Sequence, residues 1–377
     1  MKFFCKHCRG ITYLEIPDID YAGCGHCDEV IEVPKGRFDR GVVIADDFVI
    51  MEHVGTGGMG LVYKALQISL ERVVALKVLK DSFSKDKTFV QKFISEARSA
   101  ALLRHQNIVQ SFAVGNDNGI YYIAMEFVDG QTVSEMMLRK SRFSESETIR
   151  TGVAVANALD YAWNEKQLLH RDIKPDNIMI DKSGRVKLMD LGLSCSLSEL
   201  KEHEEVIGTP QYISPDQFSG KPIDFRADQY SLGATLYHMV TGQFPFDAET
   251  AEQTAWMHIH DPLTPPDEVR KEISGDLSET IEKMMTKSPE KRYKSYEELS
   301  QALITARKPK KKKLTRTKKQ RKPKKEPEFD TIIGIEESSG TATAHFKKPY
   351  GDVNDILKYA SIAVIILAII AAILVKL

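Results

Sequence analysis

The chain has 377 residues, of which 42% are hydrophobic and 28% charged. That length predicts two to three domains, and that composition excludes a chain disordered throughout, a collagen-like fibre and a disulfide-rich miniprotein. The formal charge of −1 hides a segregation, because residues 307–325 carry 13 Lys/Arg and no Asp/Glu, leaving −14 for the remainder. Five cysteines are too few for a secreted disulfide scaffold. No repeat with a period of 20–50 residues is present. Met1 to Lys6 lack an apolar stretch, so no signal peptide is expected.

Residues 1–36 form the first predicted unit. Cys5-Lys6-His7-Cys8 and Cys24-Gly25-His26-Cys27 are two Cys-x2-Cys pairs separated by 15 residues. This spacing fits a structural zinc site, with two tight turns presenting four thiolates to one Zn²⁺. Ile11–Ile16 and Val30–Val33 read as short strands behind the turns. So small a segment cannot bury enough surface to fold alone, so the metal must supply the folding energy. A thioredoxin-like redox motif needs a single pair near a βαβ pattern, whereas here two matched pairs flank short strands. His7 and His26 lie inside the turns and are left outside the ligand set. The segment resembles a zinc ribbon.

Residues 48–306 form a long periodic stretch. Phe48-Val49-Ile50 leads into Gly55-Thr56-Gly57-Gly58-Met59-Gly60, where missing side chains let backbone N–H groups approach phosphate oxygens. Glycines so spaced also mark dinucleotide folds. However, Leu61–Ala65 reads as a second strand rather than the helix such folds need. A third strand carries Lys77 within Val73-Val74-Ala75-Leu76-Lys77, and a helix over roughly 86–103 carries Glu96. Further on stand His170-Arg171-Asp172-Ile173-Lys174-Pro175-Asp176-Asn177 and Lys187-Leu188-Met189-Asp190-Leu191-Gly192.

These ordered motifs resemble the bacterial eukaryotic-type (Hanks-type) Ser/Thr protein kinase family over about 48–306. The resemblance implies an α+β, bilobal fold with a β-rich N-lobe and an α-rich C-lobe. It implies an enzyme moving the γ-phosphate of ATP, with Mg²⁺, to Ser/Thr hydroxyls of protein substrates, including its own. A kinase dimer is the implied route to autophosphorylation. Val54 to Gly60 would cover the phosphates, Val62 and Ala75 would roof the adenine, and Met179 would floor it. Lys77, held by Glu96, would grip the α/β-phosphates. Met125 would be the gatekeeper, with Glu126 and Val128 in the hinge. Asp172 would orient the hydroxyl and accept its proton, Lys174 would steady the γ-phosphate, and Asn177 and Asp190 would hold Mg²⁺.

Three departures are visible. Asp190-Leu191-Gly192 stands for Asp-Phe-Gly, keeping the metal ligand. Ser214-Pro215-Asp216 stands for Ala-Pro-Glu, one methylene shorter toward its expected partner Arg292. Asp228 is expected to brace the catalytic loop. Ahead of Val206-Ile207-Gly208-Thr209, Glu202, Glu204 and Glu205 either supply standing negative charge that replaces loop phosphorylation or form a solvated acidic loop. Ser194, Ser196 and Ser198 are candidate phosphosites, Cys195 reads as a passive side chain, and Thr209 as a residue placing the substrate hydroxyl.

Residues 307–357 read as a disordered linker. Residues 358–376 read as a transmembrane helix, since Tyr359 to Val375 hold no charge. The basic residues upstream place the kinase on the cytoplasmic side of a single-pass, tail-anchored protein. The run at 307–325 suits an anionic leaflet, with a solvated spacer as the alternative. Nucleic acid is disfavoured because no aromatics interleave it. Thr315, Thr317 and Thr331 are candidate autophosphorylation sites. Two rivals stand beside an active kinase: a pseudokinase scaffold that binds ATP without turnover, and a ribbon that gates the kinase as a metal or redox input.

Overall fold

The computed structural model describes residues 1–14, 19–58, 60–190, 195–196, 209–218 and 223–306. Met59, the Ser194, Ser198 and Glu202–Glu205 stretch, the linker and the predicted span at 358–376 lie outside them, as does the side chain of Glu96. Cys195 and Ser196 are described in the backbone alone. Among the described residues no helix is long and apolar enough to cross a membrane.

The first segment is a pair of hairpins. Strand β1 (Lys2–Phe4) pairs with β2 (Ile11–Tyr13), and β3 (Tyr21–Gly23) pairs with β4 (Val30–Glu32). The expected strands at Ile11 and Val30 are therefore present. Their partners β1 and β3 went unread, because three residues cannot display a period of two. Gly10 sits where the hairpins meet; a Cβ there would come within 2.5 Å of the His26 ring.

A two-residue strand, β5 (Val43–Ile44), joins the ribbon to the N-lobe. It is followed by β6 (Phe48–Thr56), β7 (Gly60–Gln67) and β8 (Arg72–Leu79). A short turn α1 (Asp81–Ser84) precedes α2 (Lys87–Ala101), and β9 (Ser111–Asp117) and β10 (Ile120–Glu126) complete a six-stranded sheet in the order β5-β6-β7-β8-β10-β9. The β8 sequence, Val73 to Leu79, is β-branched and aliphatic, and its last six residues are buried. It therefore suits a strand covered on both faces. Lys77 lies inside that run.

The C-lobe begins with β11 (Gly130–Thr132) and α3 (Val133–Lys140), followed by α4 (Glu145–Lys166). Both helices open with a capping box, Thr132 with Glu135 and Ser144 with Glu147, which satisfies backbone N–H groups that a first turn leaves unpaired. Next come β12 (Leu168–Leu169), β13 (Ile178–Asp181), β14 (Val186–Leu188) and β15 (Cys195–Ser196). Helix α5 (Phe225–Thr241) is buried along almost its whole length, and Asp224 caps its start. It ends at Gly242, whose φ of +79° needs glycine. Helices α6 (Ala251–His260), α7 (Pro266–Val269), α8 (Gly275–Met284) and α9 (Tyr296–Ala306) close the lobe. The largest apolar core packs α4, α5, α8 and α9 around Tyr230, Leu236, Leu277 and Leu303.

Candidate active site and metal centre

The catalytic loop links β12 to β13. Its geometry is set by α5, where Asp228 is 1% exposed and accepts the N–H groups of His170 at 2.7 Å and Arg171 at 2.8 Å. Burial pushes the Asp228 carboxyl up, against those donors and the charges of His170 and Arg171. The predicted brace is thus present. It holds Arg171 at φ +65°, a left-handed conformation that a non-glycine residue adopts only under constraint. The His170 ring reaches the carbonyl of Met189 at 3.0 Å, joining this loop to the segment after β14 that carries Asp190.

Three predicted groups meet around Asp172. Its carboxylate pairs with Lys174 Nζ at 2.7 Å and accepts Asn177 Nδ2 at 3.0 Å. Thr209 Oγ1 donates to the other carboxylate oxygen at 3.2 Å and accepts Lys174 Nζ at 2.8 Å. Thr209 thus bridges Asp172 and Lys174. A carboxylate so held can orient a hydroxyl and take its proton, and an adjacent ammonium can carry phosphate charge. Asn177 also donates to the Asp172 carbonyl at 2.8 Å, so its amide nitrogen is committed and its Oδ1 is turned to accept a cation.

Asp190 adopts φ +54° and meets Lys77 Nζ at 2.8 Å. Burial pushes its carboxyl up, but the Lys77 charge and hydrogen bond outweigh that and hold it below the usual carboxylate range. An ionised carboxylate beside an oriented amide oxygen fits the hard, oxygen-preferring Mg²⁺. Lys77 is 8% exposed, and its strand register sets it opposite Val62, which in turn faces Gly55. Ala75 faces Met125 across the β8–β10 pair, and Met179 faces Thr132 and Lys187. At Gly60 a Cβ would come within 2.8 Å of the Val78 carbonyl, so the loop can return along β8 only with glycine there. Val54 is exposed at the rim. Met125 lines a cavity of about 30 Å³ with Ala97, Ile123, Leu188 and Asp190.

Two contacts were not legible in the sequence. Lys80 Nζ donates to the carbonyls of Gly57 at 2.8 Å and Gly58 at 3.0 Å, so a cation holds the loop tip. Glu126 in the hinge pairs with Lys187 on β14 at 2.7 Å. Val128 follows Glu126 in the connection between the lobes. The pair expected between Asp216 and Arg292 survives the shorter side chain, at 2.7 Å, with the Arg292 side chain fully buried. Ser214 Oγ also donates to Asp216.

The ribbon assembles a second site. The sulfurs of Cys5, Cys8, Cys24 and Cys27 all lie within 4.8 Å of one another. Cys5 and Cys27 are 3.8 Å apart, and Cys8 and Cys24 are 3.5 Å apart. A tetrahedron with Zn–S of about 2.3 Å has sulfurs about 3.8 Å apart. Burial pushes the Cys24 thiol up, but the N–H of His26 and the Thr12 hydroxyl prevail and bring it down to about 6. Four crowded sulfurs that include a ready thiolate fit a soft divalent cation. His26 turns away to the Ile11 carbonyl at 3.0 Å and His7 is exposed, as the four-thiolate reading requires.

The protein kinase domain family matches residues 48–304. A probable serine/threonine-protein kinase of Clostridium acetobutylicum is 38% identical over 261 residues, covering 69% of this chain and 40% of that protein. The serine/threonine-protein kinase PrkC of Bacillus subtilis is 34% identical over 265 residues, covering 70% of this chain and 41% of that protein. The chain thus spans about two fifths of the length of these relatives. The kinase domain of Mycobacterium tuberculosis PknI superposes with a TM-score of 0.57 at 28% identity, covering 71% of this chain and 98% of that domain. With the bilobal fold and the loop geometry above, these matches lead to one assignment: the chain belongs to the protein kinase domain family.

Proposed function

We propose that this chain is an active Ser/Thr protein kinase, tethered by residues 358–376 to the cytoplasmic face of a membrane. One observation carries the catalytic reading: Asp172, Lys174, Asn177 and Thr209 form a closed polar cluster, with Lys77 and Asp190 paired beside it. Asp172 accepts the proton of a substrate Ser/Thr hydroxyl, and Thr209 keeps that carboxylate turned toward it. Lys174 carries charge on the departing phosphoryl group. The glycine-rich loop and Lys77 hold the nucleotide phosphates. Asn177 and Asp190 are the groups that would hold Mg²⁺, which neutralises phosphate charge when bound. Cys5, Cys8, Cys24 and Cys27 are the groups that would hold a structural Zn²⁺. The uncharged run Tyr359–Val375 supports the tether, and the 13 basic residues at 307–325 support contact with an anionic leaflet.

The test is phosphate transfer from Mg²⁺·ATP by the full chain to a generic Ser/Thr protein substrate, compared with Asp172→Asn. Transfer by the wild type with a loss of about 10²-fold or more in the variant is expected. Nucleotide binding without transfer in either protein refutes catalysis and leaves a scaffold.

A further inference from the structure

We infer that metal occupancy of the four-cysteine site and nucleotide binding under the glycine-rich loop are energetically coupled, because the ribbon is hydrogen-bonded to the outer edge of the ATP-binding sheet. This rests on the metal reading proposed above. The connection is short and runs through main-chain hydrogen bonds. Phe4, next to the ligand Cys5, donates its N–H to the Gly41 carbonyl at 2.9 Å. Gly41 donates to the Ile50 carbonyl at 2.8 Å, and Ile50 donates back to the Val42 carbonyl at 2.8 Å. Phe3 forms an antiparallel bridge with Val42. Ile50 belongs to β6, the strand that runs directly into Gly55. Between Cys5 and the strand of the glycine-rich loop there are thus two rungs of sheet.

The side chains reinforce this junction. Phe3 is fully buried, and Met1 packs against the N-lobe core of Val42, Ile44 and Phe48. The turn between β5 and β6 is built from two non-glycine residues in the left-handed region, Ala45 at φ +53° and Asp46 at φ +56°. Such a turn is costly for residues with a Cβ and needs outside support. The support comes largely from the ribbon. Lys2 Nζ pairs with Asp46 at 3.1 Å and with Asp117 at 3.3 Å, and the Tyr13 hydroxyl donates to Asp46 at 3.1 Å. Asp117 in turn accepts the Ala45 N–H at 2.7 Å. Arg9 adds an ion pair to Glu71 in the turn between β7 and β8.

A ribbon this small has no core of its own, so without metal it loses its fold. Lys2, Phe3 and Tyr13 are then withdrawn from the β5–β6 turn, and the first half of β6 is free to loosen. Nucleotide binds the ordered sheet. Metal and nucleotide therefore favour the same state, and by linkage each must tighten the other by one common factor.

The experiment uses the full chain, Zn²⁺ and a non-hydrolysable ATP analogue with Mg²⁺. Stripping Zn²⁺ with a chelator should weaken analogue binding about fivefold or more. It should also speed hydrogen exchange of the Ile50 region. In the reverse direction, the analogue should tighten Zn²⁺ in a chelator competition by the same factor. A junction variant, Lys2→Ala with Tyr13→Phe, keeps all four thiols and guards against a metal-free protein that does not stay folded. It should retain Zn²⁺ yet bind the analogue more weakly, with faster exchange in β6. Stoichiometric Zn²⁺ with unchanged analogue affinity on its removal, or in the junction variant, overturns the coupling and leaves the metal site standing. Failure to bind Zn²⁺ at all overturns both.

Discussion

Asp228→Asn is the sharpest test of how the catalytic loop is held. The carboxylate accepts two backbone N–H groups, from His170 and Arg171, at 2.7 and 2.8 Å in a site 1% exposed. Asparagine keeps the shape but offers one acceptor oxygen; its NH₂ must face an N–H. One buried donor is then left unsatisfied, at about 1–3 kcal/mol. The left-handed Arg171 loses the bond that enforces it, and its relaxation recovers about 1 kcal/mol of stored backbone strain, which offsets part of that cost. The net destabilisation is about 1–2 kcal/mol, or a melting shift of roughly 2–8 °C. The functional effect should exceed the loss of folded protein. Asp172 follows Arg171 directly, and a displacement of about 1 Å in a reacting group costs about 10²-fold in rate. The assay is kcat and KM for ATP well below the melting range. The expected result is a fall in kcat of about 10²-fold, with KM for ATP moving little, because the nucleotide grip lies in the other lobe. A lowered melting temperature with unchanged kcat would show that Asp228 supports the lobe but not the loop.

Acid should weaken the C-lobe before ordinary carboxylates titrate. Burial holds His238 down at about 4, against the opposing charge of Asp176, while the Tyr212 hydroxyl meets its Nδ1 at 2.7 Å. Burial, with the charge of Lys287, holds His258 at about 3. Both folded values lie below the ordinary histidine range near 6.5, so the unfolded chain binds the extra protons. The stability is therefore complete above about pH 6.5 and lost as pH falls toward 4. Between pH 7.5 and 5 the loss should be about 2–4 kcal/mol, after discounting the partly solvated His238; urea unfolding midpoints that do not change over this range would refute it. The tether predicts that the full chain floats with liposomes and that truncation after residue 357 releases it. Equal flotation of both proteins would remove residues 358–376 as the anchor.

The parts legible in the sequence are those where chemistry fixes both residue type and spacing. Asp172, Lys174 and Asn177 fall within six residues, so one local loop carries most of the cluster that the structure closes. The paired cysteines are legible for the same reason, since each pair occupies a single turn. The ribbon's attachment is not. Strands β1, β3 and β5 have two or three residues, too few to show alternation. Lys2 meets Asp117 across 115 residues, and Lys187 meets Glu126 across 61. Surface lysines and acids are common, and nothing local distinguishes those that will pair. Lys80 follows the last residue of β8, where a solvated side chain is the ordinary expectation, yet it holds two loop carbonyls. The replacement of Glu by Asp216 was readable as a gap of one methylene. Its consequence depended on where Arg292 lies, and the buried pair at 2.7 Å shows that the backbone accommodates the difference.

The two halves of the active site stand on separate supports. The phosphoryl-transfer half hangs from α5. Asp228 holds the backbone of the catalytic loop, and Thr235 Oγ1 donates to the Ile173 carbonyl at 3.1 Å in the same loop. In the first turn of that helix, beside Asp228, the Arg226 carbonyl accepts Arg292 Nη1 at 2.7 Å, and Arg292 in turn holds Asp216. The nucleotide half hangs from the N-lobe sheet, whose outer edge is finished by the ribbon through Phe3, Phe4 and Lys2. Among the described residues, none of these is common to both sets. Lesions in the cysteine site should therefore act on nucleotide affinity, and lesions in α5 on kcat. A protein carrying one of each should show the two effects multiplied rather than merged, since sites without shared partners combine additively in free energy.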